Sequence, residues 1–375
     1  MTTHHHHRPI QASTFARVGL VMYLLLIIYA SWYPFVGWHS NGLSPFAYLF
    51  APLPHYWTVF DVVTNIIGYA PFGIFVVFAL YPAVRGVYAV ALAAVCSVLL
   101  SGTMEAVQTF LPTRVSSNLD FLTNIGGAIA GAIIAAMLTP KLLERSRFLQ
   151  YRRRWFLREA GRGFVVIGLW PLAQIYPQGY LFGHGQLIPI LSSWLSDWYA
   201  TSIDLGAILR QGVELSPEQY WLSEAIMTAC GLTGALLTLL CLLRKNAPTA
   251  LLATLLMISA LAVKAMASAL FFAPENAFAW LTPGAQGGLL FGTAMVFGLA
   301  FAPPVAQRRI AAVMLVISLL VVNIVPANPY FVVTLQTWVQ GKFLNFNGAA
   351  QFLSLFWPFF ALWFLLHSVH RQKEN

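Results

Sequence analysis

Three acidic residues lie within strongly apolar stretches of a chain that contains few acids. Asp61 and Asp120 begin two copies of one pattern, DVVTNIIG at 61–68 and DFLTNIGG at 120–127, and Glu105 lies between the copies. The 375 residues include only 12 Asp and Glu. Because burying an ionisable group in a membrane is costly, such groups usually serve a function. The three carboxylates are therefore our candidate catalytic groups.

Paired carboxylates indicate acid–base or nucleophilic chemistry. Glu105, the most deeply placed of the three, could act as general acid, and Asp61 or Asp120 as base or nucleophile. Glycosyl transfer and glycoside hydrolysis use two carboxylates in these roles. The residue types permit an enzyme of this kind but do not require one, so the question of enzyme activity stays open.

Amide and hydroxyl side chains accompany the acids. Asn65 and Asn124 follow the two Asp residues by four positions and therefore share their helix faces. The segment SGTMEAVQ adds Ser101 and Gln108 on the same face as Glu105. We expect these four residues to bind substrate hydroxyls or to orient the acids.

A single basic residue, Arg114, lies in the short loop TRVSSN between the third and fourth apolar stretches. A guanidinium can bind a phosphate or carboxylate through two parallel hydrogen bonds. Arg114 is therefore a candidate substrate-binding residue. Alternatively, it is the counter-ion of Glu105, and the pair then implies no catalysis.

The acids and amides could also hold a hard cation. Oxygen ligands suit Mg²⁺ or Ca²⁺, which would bridge a pyrophosphate head group. No His or Cys joins the cluster, which argues against zinc, and Arg114 argues mildly against any cation. We predict no metal and no cofactor, with Mg²⁺ or Ca²⁺ as the alternative.

A structural role would explain part of the repeated pattern. Thr58-x-x-Asp61 and Ser117-x-x-Asp120 both match the capping box of a helix N-terminus. Small residues let membrane helices pack closely, which would account for the glycines at positions 68, 73, 126, 127 and 131. Capping and packing leave the two Asn residues and Glu105 unexplained, so we favour a functional site.

The elements that must position these residues are membrane helices. The chain is 59% hydrophobic and 9% charged, with a mean hydropathy of +0.71. Continuous apolar stretches favour helices over alternating barrel strands. We predict an all-α polytopic bundle with ten spans, near residues 17–36, 59–81, 87–111, 120–139, 161–177, 221–243, 248–272, 284–303, 310–325 and 350–369. The fifth and ninth stretches are the shortest.

Basic residues predict the orientation. They lie before the first span and after each even-numbered span, and therefore on one side, which the positive-inside rule makes cytoplasmic. Both termini would then be cytoplasmic, and the acidic cluster would face the periplasm or the outside. We predict a multi-pass protein of the bacterial inner (cytoplasmic) membrane. This topology explains the net charge of +9 without nucleic-acid binding.

The chain divides into three predicted parts. These are a four-helix membrane module at 1–140, a basic cytoplasmic linker at 141–162 and a six-helix membrane region at 163–375. The repeat predicts two parallel helix hairpins within the first part. In the last part, the outer loop 178–220 includes LSSWLSDWY, which is typical of an interfacial helix.

Two basic side chains of the six-helix region need an interpretation. We expect Lys264 either to extend toward the outer interface or to pair with Glu224 or Glu275. His184, a lone histidine of the outer loop, is expected at the surface.

The ordered polar blocks resemble a known family. Asp-x-x-x-Asn followed by YAPFG (69–73), Ser-x-x-x-Glu-x-x-Gln, Arg114, and a second Asp-x-x-x-Asn with glycines is similar to the VanZ-like family. The resemblance covers about residues 15–140, and the six-helix region is an extension to it. It implies a cell-envelope protein, in a family whose namesake is associated with resistance to the glycopeptide teicoplanin.

The preferred function follows from the predicted location of the acids at the outer end of a membrane bundle. We expect the protein to modify or recognise a lipid-linked or cell-wall glycan, with the lipid bilayer and that glycan as its partners. The alternatives are a transporter or flippase-like protein for a lipid-linked polar substrate and a non-catalytic partner in an envelope assembly. The sequence indicates no oligomeric state.

Overall fold

The computed structural model of the chain is all-helical. It describes residues 14–33, 35–40, 42, 44–139, 151, 154–157, 160–272, 274–326 and 344–367. Within these ranges there are twelve α-helices and two 3-10 helices, and the β-type pairing is one isolated bridge between Phe156 and Leu243. The predicted all-α membrane bundle is confirmed.

The chain forms two compact units, residues 1–153 and 154–375. The boundary falls within the predicted basic linker 141–162, most of which lies outside the described residues. The exact division into module, linker and six-helix region stays a prediction.

The described residues of the N-terminal unit form four long helices and one short one. They are α1 (Thr14–Trp32), a 3-10 helix (Ala47–Phe50), α2 (Val59–Leu80), α3 (Gly86–Gln108) and α4 (Asn118–Thr139). Its apolar core is built from all four long helices and includes Ile27, Phe72, Ala93 and Ala132. The two copies of the repeat begin α2 and α4, so the fold brings the copies side by side.

Glycines allow α2 and α4 to meet backbone to backbone. A Cβ added at Gly127 would lie 2.3 Å from the carbonyl oxygen of Ile66, and one at Gly131 would lie 2.0 Å from that of Ala70. These contacts advance in the same direction along both helices, so α2 and α4 are parallel, as the repeat predicted. Of the other predicted packing glycines, Gly73 also meets the opposite helix, whereas positions 68 and 126 face open space.

Eight α-helices are seen in the described part of the C-terminal unit. They are α5 (Gly161–Ala173), α6 (Leu187–Tyr199), α7 (Leu205–Leu209), α8 (Pro217–Leu240), α9 (Thr249–Phe272), α10 (Pro283–Leu299), α11 (Pro304–Ile324) and α12 (Leu344–Leu366), with a second 3-10 helix at Pro274–Asn276. Helix α8 is central, because it packs against α10 and α11 and its residues from Met227 to Leu240 are buried. Helix α6 lies at the predicted interfacial segment and has no buried residue.

Among the residues that the structure describes, seven helices are long and apolar enough to cross a membrane: α2, α3, α4, α8, α9, α11 and α12. The three remaining predicted spans coincide with α1, α5 and α10, which are shorter or less apolar. The ninth span is longer than predicted, because α11 has 21 residues, whereas α5 has only 13. The count of ten spans and the orientation stay predictions.

Candidate functional site

The first copy of the repeat forms a complete capping box at the start of α2. The Thr58 hydroxyl accepts a hydrogen bond from Asp61 N at 3.1 Å, and Asp61 Oδ2 accepts one from Thr58 N at 3.0 Å. The Thr58 hydroxyl also donates to Asp61 Oδ2 at 2.7 Å. Asp61 is exposed, and this capping role was predicted correctly.

The second copy forms only half of the same box. The Ser117 hydroxyl accepts a hydrogen bond from Asp120 N at 3.3 Å. The backbone N–H of Ser117, however, donates to Glu105 Oε2 at 2.8 Å, so the carboxylate comes from α3 and not from Asp120. Ser116 reinforces the contact by donating from its hydroxyl to the backbone oxygen of Glu105 at 2.7 Å. Glu105 therefore acts as the cap acceptor for α4.

Asp120 is consequently free to interact with the first copy. Its Oδ1 accepts a hydrogen bond from Asn65 Nδ2 at 2.9 Å, across the α2–α4 contact. Its Oδ2 makes no hydrogen bond to another described residue, and the side chain is half-buried. One oxygen of a fixed carboxylate is thus available to a ligand.

The polar cluster continues toward the interior of the unit. Asn124, 5% exposed, donates from Nδ2 to the hydroxyl of buried Ser101 at 3.1 Å. Its Oδ1 is buried and has no hydrogen-bond partner. Glu105 is 3% exposed. The cluster therefore runs from exposed Asp61, through half-buried Asp120, to buried groups on α3 and α4.

Gln108 and Arg114 interact with the end of α1. Gln108 Nε2 donates to Ser31 O at 3.0 Å, and Arg114 Nη2 donates to Ala30 O and Tyr33 O at 3.1 and 2.9 Å. Both satisfy carbonyl groups that a helix C-terminus leaves unpaired.

Arg114 is not the counter-ion of Glu105. Among the described residues there is no ion pair between them, and Glu105 binds the Ser117 N–H instead. Burial lowers the pKa of Arg114 from its usual high value, although a guanidinium keeps its charge in proteins. Its Nε is buried without a partner, so part of the guanidinium has an unused donor.

Tyr48 borders the cluster and was missed by the sequence analysis. It lies in the 3-10 helix Ala47–Phe50, is 4% exposed, and donates from its hydroxyl to Gly102 O on α3 at 3.3 Å. Burial, and then the negative charge of Glu105, raise the pKa of the phenol. A tyrosine in an aromatic-rich loop resembles ordinary interfacial residues, so the sequence carried no signal for this position.

The described residues contain no group of three or more His, Cys, Asp and Glu side chains positioned to hold a metal. Asp61, Glu105 and Asp120 therefore do not converge closely enough to form a three-carboxylate site. The absence of a metal stays a prediction, with Mg²⁺ or Ca²⁺ bound through other ligands as the alternative.

The C-terminal unit buries two groups that were expected elsewhere. His184 is fully enclosed instead of lying at the surface, because Gln174 and Gln178 contact its two ring nitrogens. Lys264 is 3% exposed and forms no ion pair with Glu224, Glu275 or any other described acid. Both expectations for Lys264 are therefore wrong.

The fold and the cluster define a polytopic helical membrane protein with a polar site built from a repeated helix start. Residues 19–139 match the family model described as VanZ/LLP1, which covers α1 to α4 and about a third of the chain. The N-terminal module is thus VanZ-like, as the polar blocks indicated. Comparisons with curated proteins and with solved structures give no significant match.

Proposed function

We propose that the VanZ-like module recognises or modifies the polar head of a lipid-linked or cell-wall glycan. One observation carries the proposal: Asp120 is turned away from its helix cap, is fixed by Asn65, and keeps one carboxylate oxygen unpaired. A fixed carboxylate is a good acceptor for sugar hydroxyls, because hydrogen bonds to a charged acceptor are stronger than neutral ones. Asp61 adds a second acceptor at the exposed edge.

An apolar surface beside the cluster supports a lipid-borne substrate. The loop that leads to the α2 cap exposes large apolar side chains at Phe46, Leu49, Phe50, Leu53, Tyr56 and Trp57, with Phe50 90% exposed. Asn118, at the start of α4, donates to Ala51 O of this loop at 2.6 Å, so the loop adjoins the site. Aromatic residues of this kind suit the membrane–water interface. A ligand with its tail in lipid would reach the acids at this boundary.

The proposal requires the cluster to face outward from a cytoplasmic membrane. The experiment is labelling of intact cells with a membrane-impermeant thiol reagent, using Val115→Cys near the cluster and Ala83→Cys at the opposite ends of α2 and α3. Both positions are exposed. We expect only the cysteine at position 115 to react before lysis. Reaction only at position 83 would show that the orientation is the opposite of the predicted one, and this would contradict the proposal.

Binding is tested with the full chain in lipid nanodiscs. The probe is a polyprenyl-diphosphate-linked disaccharide, and the comparison ligand is the same polyprenyl diphosphate without sugar. We expect the sugar to strengthen binding and Asp120→Asn to weaken it about tenfold, or about 1.4 kcal/mol. Asp197→Asn, an exposed acid outside the module, is the control. Equal binding of both ligands by the wild type would rule out glycan recognition.

The same preparation separates an enzyme from a binding protein. Incubation with the linked disaccharide, followed by mass spectrometry of the products, detects cleavage or transfer. In an enzyme, Glu105→Gln should abolish product formation more completely than it weakens binding, because it removes the candidate proton donor. Binding without product identifies recognition alone. A role in teicoplanin resistance stays a prediction.

A further inference from the structure

A second polar cluster lies in the C-terminal unit and has no place in the proposed glycan site. His184 Nε2 lies 2.7 Å from Gln174 Nε2, and His184 Nδ1 lies 2.6 Å from Gln178 Nε2. Ser354 of α12 approaches both His184 Nδ1, at 3.3 Å, and the Gln178 amide. All four side chains are buried, and the amide oxygens Gln174 Oε1 and Gln178 Oε1 have no hydrogen-bond partner.

The hydrogen-bond chemistry of a neutral imidazole orders this cluster. Burial, and then the positive charge of Lys264, lower the pKa of His184 to about 3, so the ring is neutral and has one donor and one acceptor. Gln174 Nε2 also donates to Trp170 O at 3.2 Å, which fixes it as the donor to His184 Nε2. The Gln178 amide must then turn its oxygen toward Nδ1–H. Its NH₂ group is left unpaired in the interior.

Lys264 of α9 lies near this cluster. One helical turn before it, Ala260 packs in the core cluster that contains Trp170 and Ala173. One turn after it, Ala267 packs in a cluster with Ile175, the neighbour of Gln174. The buried face of α9 therefore places Lys264 beside residues 170–175 of the C-terminal unit, and its effect on His184 agrees with this position.

Lys264 makes no hydrogen bond or ion pair with another described residue. A buried charge is strongly unfavourable unless it is paired. The NH₂ group of Gln178, once the amide is turned, is a further donor without a partner. We propose that Lys264, with the NH₂ group of Gln178, binds an oxyanion such as phosphate, either free or on a lipid head group. This site is independent of the acidic cluster in the N-terminal module.

The experiment measures oxyanion retention and thermal unfolding of the full chain. The lipid arm is native mass spectrometry after exchange from phosphatidylglycerol into neutral detergent, and the soluble arm is titration with inorganic phosphate. We expect the wild type to retain one phosphatidylglycerol or to gain several degrees in unfolding temperature with phosphate. The arm that responds identifies the source of the oxyanion.

Lys264→Met and Lys245→Met form the matched pair, since Lys245 is exposed and its loss removes the same charge. Lys264→Met should weaken retention at least tenfold, whereas Lys245→Met should leave it unchanged. Without the oxyanion, Lys264→Met should fold at least as well as the wild type, because Met removes an unpaired buried charge. The proposal is overturned if the wild type binds neither phosphatidylglycerol nor phosphate, and this test needs no variant. It is also overturned if Lys264→Met and Lys245→Met bind the oxyanion equally well.

Discussion

The two copies of the repeat have the same polar residues but different hydrogen-bond partners. In the first copy, Asp61 accepts from the N–H of its own helix cap and remains at the exposed edge. In the second copy, Asp120 occupies the same sequence position but accepts from Asn65 of the first copy. One motif therefore produces a helix cap in one place and a fixed carboxylate with an unpaired oxygen in the other.

The difference originates in α3, which lies between the copies in sequence. Glu105 supplies the acceptor for the Ser117 N–H, and this N–H would otherwise need Asp120 to complete the capping box. Asp120 is released from capping without leaving an unsatisfied backbone donor. Glu105, the most deeply buried acid of the cluster, thus allows half-buried Asp120 to bind Asn65. Glu105 is in this sense a positioning residue, whatever further chemistry it performs.

The largest expected effect comes from the glycines at equivalent positions of the copies. Gly127→Ala would push a methyl group against the Ile66 carbonyl, whereas a Cβ at Gly68 meets nothing within 4 Å. We expect Gly127→Ala to cost about 3 kcal/mol, at the upper end for an overpacked contact, and Gly68→Ala to change the free energy of unfolding little. Denaturant unfolding in detergent measures both. Equal losses would mean that the copies do not differ in packing.

The next largest effect concerns which carboxylate caps the helix in each copy of the repeat. Glu105→Ala leaves the Ser117 N–H without its charged acceptor, at a cost of about 2 kcal/mol. Hydrogen exchange of peptides spanning Ser117 should accelerate in this variant and stay slow in Asp120→Ala. In the first copy, Asp61→Ala should accelerate exchange at Thr58. Faster exchange at Ser117 in Asp120→Ala would show that the second copy caps its helix as the first does.

The sequence predicted the elements of the site better than their connections. Apolar stretches and capping patterns correctly placed α2, α3 and α4, and the Asp–Asn spacing correctly aligned polar faces on α2 and α4. The Ser117 N–H binds Glu105 because of the position of α3 relative to α4 along their axes. This position is set by packing between residues that are distant in sequence. No local spacing encodes it.

Isolated residues were harder to interpret. Tyr48 and His184 are buried because residues far away in sequence enclose them, Gly102 for the first and Ser354 for the second. In a membrane sequence, a lone tyrosine or histidine in a loop is typical of an interface. Arg114 and Gln108 had the right residue types for a ligand site, but both donate hydrogen bonds to carbonyls at the end of α1, and Arg114 Nε is left unpaired.

A smaller effect should distinguish the two asparagines. Asn65→Leu removes the hydrogen bond that fixes Asp120, and we expect it to weaken binding of the linked disaccharide by about fivefold, or about 1 kcal/mol. Asn124→Leu removes a bond to Ser101 within the buried part of the cluster. It should lower the free energy of unfolding while leaving Asp120 fixed. A larger loss of binding in Asn124→Leu would move the ligand contact inward, toward Glu105.

The smallest effect concerns the two cap hydroxyls. Thr58→Ala removes the cap acceptor of α2 and frees Asp61 from its hydroxyl partner, so it should cost about 1 kcal/mol. Ser117→Ala removes only the longer 3.3 Å bond from Asp120 N, and the Ser117 N–H keeps Glu105. Its cost should be about half as large. Thermal unfolding measures both costs. A larger loss of stability in Ser117→Ala would mean that the Ser117 hydroxyl has a role beyond the cap. Binding of the linked disaccharide to that variant would then show whether the hydroxyl contacts the ligand.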